Sequence, residues 1–139
     1  MLPVSAKDLL PQQEPFQFVD SLLEVNENGI TSSYTISAQS LLLMDNILSE
    51  NALLENMAQT AAAGTGYFFQ SQALPIPVGY IGAIKKIMIH QLPKIADQIT
   101  TEIKTLHKVG DASIVECKIF LSQKEIASAE LTIFVSNKN

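Results

Sequence analysis

The sequence predicts an α+β fold in which one antiparallel sheet curls around a single long helix. Three observations carry that expectation. Residues 51–70 repeat apolar side chains at helical spacing, while the stretches on either side alternate apolar and polar residues at period two. The middle of the helical stretch, Ala61-Ala62-Ala63-Gly64-Thr65-Gly66, is so small and so unpolar that it must be packed closely against other parts of the chain. An architecture of two strands, one buried helix and four more strands satisfies all three.

Taken in order, residues 16–25 form an apolar-rich strand that stops at Asn26-Glu27-Asn28-Gly29, an Asn-Gly turn of the kind that favours positive φ. A second strand begins at Ile30, where Ile30, Ser32, Tyr34 and Ile36 share one face and Thr31, Ser33 and Thr35 the other. Leu53, Leu54, Met57, Ala58, Ala61 and Ala62 then mark the helix, with Ser49 placed to cap its N-terminus. Leu74-Pro75-Ile76-Pro77 is a stiff loop. Strands follow over residues 78–90, 97–109, 112–121 and 125–135, with turns at Gly110-Asp111 and Ser122-Gln123-Lys124. The last three form a meander. The edges of such a sheet invite pairing with a second chain.

Composition narrows the function. With 139 residues the chain fits one domain, residues 1–139, and 47% hydrophobic residues provide a core. A net charge of -5 argues against nucleic-acid binding. All nine basic residues are lysines, so the bidentate guanidinium grip on phosphate or carboxylate is missing. Cys117 is alone, which excludes an internal disulfide and fits a small buried side chain in a reducing compartment. With no apolar run long enough to span a bilayer and no signal-like N-terminus, the expectation is an unprocessed cytoplasmic protein.

Candidate chemistry is sparse. Glu55 lies near the start of an apolar helix, where it is either a solvent-facing carboxylate or a partly buried one suited to general acid work. Gln59 is four residues on, on the same face, within hydrogen-bonding reach of it. His90 and His107 read as strand-end and surface residues, since neither has nucleophile or ligand spacing around it. No His, Cys and carboxylate cluster predicts a metal site, and no glycine-rich loop predicts a phosphate cradle or a bound cofactor. Lys85-Lys86 interrupts an apolar strand, either as a solvated edge or as a contact for an acidic partner or phosphate.

Residues 10–20, Leu-Pro-Gln-Gln-Glu-Pro-Phe-Gln-Phe-Val-Asp, and residues 54–62, Leu-Glu-Asn-Met-Ala-Gln-Thr-Ala-Ala, resemble the two signature segments of hotdog-fold 3-hydroxyacyl-acyl-carrier-protein dehydratases. Residues 123–131 resemble that family's closing hairpin, and residues 84–97 the strand that lines its acyl tunnel, so the resemblance covers nearly the whole chain. It implies a hotdog fold and a cytoplasmic role in fatty-acid or polyene-type lipid biosynthesis. The implied substrate is an acyl thioester carried on phosphopantetheine, and the implied partners are an acyl carrier protein and a second hotdog chain, identical or related.

In that family a histidine of the first segment takes a proton from the substrate α-carbon, and an acidic residue on the partner's helix delivers one to the departing hydroxyl. Glu55 falls on the acidic position, but the histidine position falls on Gln12, whose amide can orient but cannot abstract a proton. The family's Phe-Pro-Gly before the helix becomes Leu48-Ser49-Glu50, which leaves the Glu50 backbone N–H to polarise a thioester carbonyl. The resemblance thus implies Glu55 and Gln12 as the catalytic positions, with Glu14, Phe16, Glu50, Gln59, Lys85 and Lys86 around the substrate. Three readings follow. The chain is a dehydratase-like protein, using Glu14 or Glu55 as proton carrier; a thioesterase using Glu55 with Gln12; or a non-catalytic subunit paired with an active dehydratase.

Overall fold

The computed structural model describes residues 2–136. The chain runs β1 (Val4–Ser5), β2 (Ser21–Asn26), β3 (Gly29–Thr35), β4 (Leu43–Met44), β5 (Ile47–Leu48), α1 (Glu50–Ser71), β6 (Val78–Ile89), β7 (Gln98–Val109), β8 (Ala112–Leu121) and β9 (Lys124–Ser136). Seven strands form one antiparallel sheet in the order β1-β2-β3-β7-β8-β9-β6, and β4 and β5 form a separate small hairpin. The 22-residue helix is the single helix among the described residues, and it packs on the sheet as predicted.

Ser49 caps the helix by accepting a hydrogen bond from the Ala52 N–H at 3.4 Å. One side of α1 presents Leu53, Met57 and Ala61 to a core closed by Ile99 and Ile103 of β7, Val115, Cys117 and Ile119 of β8, and Ala127, Ala129 and Leu131 of β9. Period-two alternation places those strand residues on the concave face. Ala63 meets a second cluster, in which Ala6, Leu10, Val19 and Leu22 wrap the N-terminal segment over the helix. The small residues of the helix are what allow this approach: a Cβ at Gly64 would run into the Ile30 side chain.

The predicted strand over residues 16–25 is shorter than expected. It begins at Ser21, with the Asp20 N–H already bonded to the Ser33 carbonyl of β3, and residues 16–18 instead run alongside α1. The physical reason is local: the backbone of residues 16–18 is bonded to helix side chains, described below, and has no ladder to join. The turn after β2 also differs from expectation. Neither Asn28 nor Gly29 takes a positive φ; the Asn26 side chain accepts from the Asn28 and Gly29 N–H groups at 2.8 and 3.1 Å and closes the turn itself. Glycine is required at position 29 for a different reason, because a Cβ there would collide with the Ile103 carbonyl of the neighbouring strand. The short β1 and the β4–β5 hairpin are too brief to show a period and were not expected.

Cys117 is fully buried. Loss of hydration pushes its thiol from the ordinary 9.0 up to about 12, with a smaller contribution from the Glu116 carboxylate. The folded chain therefore holds the proton that the unfolded chain releases, so this contribution to stability is intact below pH 9.0 and falls as pH climbs towards 12. At about pH 8 a soluble alkylating reagent is expected to leave Cys117 unmodified in the folded protein and to modify it fully in denaturant. Mass spectrometry before and after unfolding checks this, and alkylation of the native protein would show that the core opens.

Candidate functional site

The site starts from a stripe of α1 that neither core cluster covers. Glu55, Ala58, Ala62 and Thr65 follow one another at helical spacing on one face. That face looks into a cavity of about 530 Å³, whose other walls are Leu9, Pro11 and Gln12 from the N-terminal segment and residues 76–81 at the start of β6. Two positions far apart in sequence, Gln12 and Glu55, thus meet across one space, with Gln59 beside them. The volume lies in the range that small-ligand pockets occupy.

Gln59 connects the walls. Its Oε1 accepts from the Phe18 N–H at 2.7 Å, and its Nε2 donates to the Phe16 carbonyl at 2.9 Å and, in a long 3.4 Å contact, to Glu55 Oε1. Asn56 continues the clamp inward. Its Nδ2 donates to the Phe18 carbonyl at 2.7 Å while its Oδ1 accepts from the Thr101 hydroxyl at 2.5 Å. Thr60 donates to the Asn56 carbonyl at 2.7 Å and shares a 2.7 Å hydrogen bond with Ser32. Asn56, Thr60, Ser32 and Thr101 are all fully buried, so this polar string crosses an apolar core with its side chains satisfied. It fixes the segment carrying Gln12 to the helix carrying Glu55.

The remaining predicted residues are dispersed. Glu55 is exposed at the cavity, which is the solvent-facing one of the two placements left open by the sequence. Phe16 reaches the site through its carbonyl alone, for its ring is 61% exposed and lies outside the cavity lining. Glu14 lies on the side of Tyr34, where burial raises the phenol's pKa, the Ser40 hydrogen bond opposes the rise, and the Asp20 and Glu14 carboxylates add to it. Glu50 opens the helix about 7.5 Å along the axis from Glu55, and lines a separate recess with Met44, Ile47 and Leu92. Lys85 and Lys86 stand in the open on β6, away from the cavity, with Lys86 Nζ 3.4 Å from Glu130. His90 and His107 are exposed and do not touch the cavity.

Among the described residues no group of three or more His, Cys, Asp or Glu side chains is placed to hold a metal ion, and no helix is long and apolar enough to cross a membrane. One polar atom stands out: Gln12 Oε1 is buried and has no hydrogen-bond partner among the described residues. The fold makes no use of that acceptor.

A long helix enclosed by a curled antiparallel sheet, with a carboxylate and an amide on one cavity, is a hotdog fold of the thioester dehydratase and thioesterase kind. Residues 4–139 match the ApeP-like family, described as ApeP dehydratase, and the chain belongs to that family. An uncharacterised thioester dehydrase of Halalkalibacterium halodurans is 25% identical over a 138-residue alignment that covers 94% of this chain and 87% of that protein. In fold, the chain is similar to the dehydratase heterocomplex ApeI:P from Xenorhabdus doucetiae, with a TM-score of 0.86 at 16% identity over 97% of this chain and 93% of the other. It is also similar to a hypothetical thioesterase with coenzyme A from Streptococcus pneumoniae, with a TM-score of 0.69 at 13% identity over 85% and 86% of the two chains.

Of the residues singled out in the sequence, Glu55, Gln12 and Gln59 line one cavity, and Asn56, Thr60, Thr101 and Ser32, which hold its walls together, were not among them. An asparagine inside an apolar helical run was the available signal, since it needs partners if buried. Replacing Asn56 with leucine leaves the Phe18 carbonyl and the Thr101 hydroxyl unpaired in the core. The expected cost is about 2–4 kcal/mol, measured as a lower urea midpoint with an unchanged slope. Thr101→Val, which orphans only one acceptor, is expected to cost less than half as much.

Proposed function

We propose that this chain is an acyl-thioester-binding subunit of a 3-hydroxyacyl dehydratase, acting on chains carried by the phosphopantetheine of an acyl carrier protein in fatty-acid or polyene-type lipid assembly. The observation that supports it is the convergence of Gln12, Glu55 and Gln59 on one cavity with a floor of small residues, Ala58, Ala62 and Thr65. Such a floor gives an acyl chain depth with little polar surface to desolvate, the Thr65 hydroxyl being its one polar group.

In the proposed reaction the Cα–H bond breaks as its proton passes to a base, and the electron pair forms the Cα–Cβ double bond. The Cβ–O bond breaks, and the hydroxyl takes a proton from Glu55 and leaves as water. Glu55 faces the cavity, and Gln59 holds one of its oxygens. Gln12 cannot be the base, and neither histidine lines the cavity. The base therefore comes from a second hotdog chain, for which the open β6 edge beside the cavity provides a docking line. Gln12 keeps an orienting role through its amide. The likeness to a heterocomplex of dehydratases supports pairing with a related chain.

A second reading rests on the same residues. An amide and a carboxylate in one cavity, with no histidine, also suit hydrolysis, with Glu55 activating water and Gln12 orienting the thioester carbonyl.

Intact mass of an acyl carrier protein loaded with a 3-hydroxyacyl group tests both. The chain alone is expected to leave the mass unchanged. Gln12→His, which restores a base facing Glu55, is expected to remove one water, and adding Glu55→Gln is expected to slow that loss by about 100-fold or more. A Gln12→His protein as inert as the wild type overturns the placing of Gln12 at the base position opposite Glu55. Loss of the whole acyl group to the wild-type chain establishes the hydrolytic one.

A further inference from the structure

β6 is the outermost strand of the sheet beyond β9, and its outer edge bonds to nothing among the described residues. It is also apolar on its surface. Val78 is 72% exposed, Tyr80 60% and Met88 55%, and Ile84 and Ile87 are exposed as well. A free edge with this much exposed apolar surface needs a cover. Within it lie Lys85 and Lys86. Lys85 has no ion pair among the described residues, and Lys86 sits at a bulge with φ +55° and pairs only with Glu130 of its own sheet. A strand that merely had to stay unpaired would carry polar residues throughout. Here the apolar residues favour pairing while the lysines select against some partners.

The position of the lysines decides which. They are the eighth and ninth of twelve residues in β6. If two copies pair along their whole β6 edges, Lys85 faces Gly82 of the other copy, and the two Lys85 residues stand about 10 Å apart along the strands. That is beyond the screening length at physiological salt, about 8 Å, and it is tolerated. Such a register leaves the overlap centred ahead of Ile84, Ile87 and Met88. Sliding the copies to centre on those three residues puts Lys86 directly opposite its own counterpart and Lys85 opposite Ile87, one position away on either side, with Glu130 as the ion-pair partner of each Lys86. Like charges directly opposite each other destabilise an antiparallel pair.

We infer that Lys85 and Lys86 make β6 a selective edge, which docks the edge strand of a related hotdog chain carrying carboxylates opposite them in preference to a second copy of itself. This rests on the pairing proposed above and adds the residues that choose the partner.

The test is association by light scattering and analytical ultracentrifugation, which reads the edge independently of any acyl chemistry. A Lys85→Glu/Lys86→Glu variant, tagged and mixed with the wild-type chain, supplies the carboxylate-bearing partner. The mixed pair is expected to be at least tenfold tighter than the wild-type pair and to weaken as salt is raised. Lys85→Gln/Lys86→Gln, which removes the charge without reversing it, is expected to self-associate more tightly than the wild type and guards against a folding defect in the charge-reversed chain. A wild-type homodimer as tight as the mixed pair overturns the inference. So does the absence of any association in all combinations, which would leave β6 an unpaired edge.

Discussion

A buried amide clamp is the interaction on which the rest of this site depends. The segment that carries Gln12 leaves the sheet before Ser21, so the backbone of residues 16–18 has no neighbouring strand to satisfy it. Buried peptide groups must be paired somewhere. Gln59 and Asn56 supply the missing partners from the helix, taking one N–H and two carbonyls between them. Thr101 in turn fixes which way the Asn56 amide points, since its hydroxyl bonds the oxygen and leaves the nitrogen for Phe18. A side chain on β7 thereby sets the position of a segment that β7 does not pair with.

The clamp explains the asymmetry of the helix. One side is committed to the sheet through Leu53 and Met57, and another to the N-terminal wrap through Ala63. The third side stays open because the clamped segment halts at its border, with Pro11 and Gln12 forming a wall and leaving a gap. Across that gap stands β6, itself an edge. The cavity is therefore bounded on one flank by a fixed segment and on the other by a strand whose outer edge is unpaired among the described residues. A partner strand added to β6 would extend the sheet at the flank of the cavity, so association and substrate access are geometrically linked.

Most of the sheet and the whole helix were legible because their periods are long and uninterrupted. Val115, Cys117, Ile119 and Leu121 alternate over the length of β8, and the helix repeats its apolar set from its Ser49 cap onwards. Residues 16–20 misled because their apolar content suits a strand, and composition does not reveal that the hydrogen-bonding partners lie some 40 positions away in side chains. The site was legible in part. Glu55 and Gln59 are helical neighbours, so periodicity alone relates them, whereas the meeting of Gln12 with Glu55 depends on the wrap and was reached only through the resemblance to a family. Glu50, Lys85 and Lys86 share the elements of the site and not its cavity, because they lie further along those elements than the stretches that line it.

The identity of residue 12 follows from the same division of labour. The structural work of this segment is done by backbone atoms of residues 16 and 18 against Gln59 and Asn56. Gln12 is not part of the clamp, and its Oε1 has no hydrogen-bond partner among the described residues. An imidazole and a carboxamide at this position therefore place similar demands on the fold, and the choice between them changes the chemistry of the cavity while the clamp stays intact. A chain that has lost its proton acceptor can then keep the acid, the floor and the docking edge of the proposed dehydratase pair. In that pair the base need be supplied only once, by the other subunit, and a substitution that would silence a solitary enzyme becomes a division of roles between two.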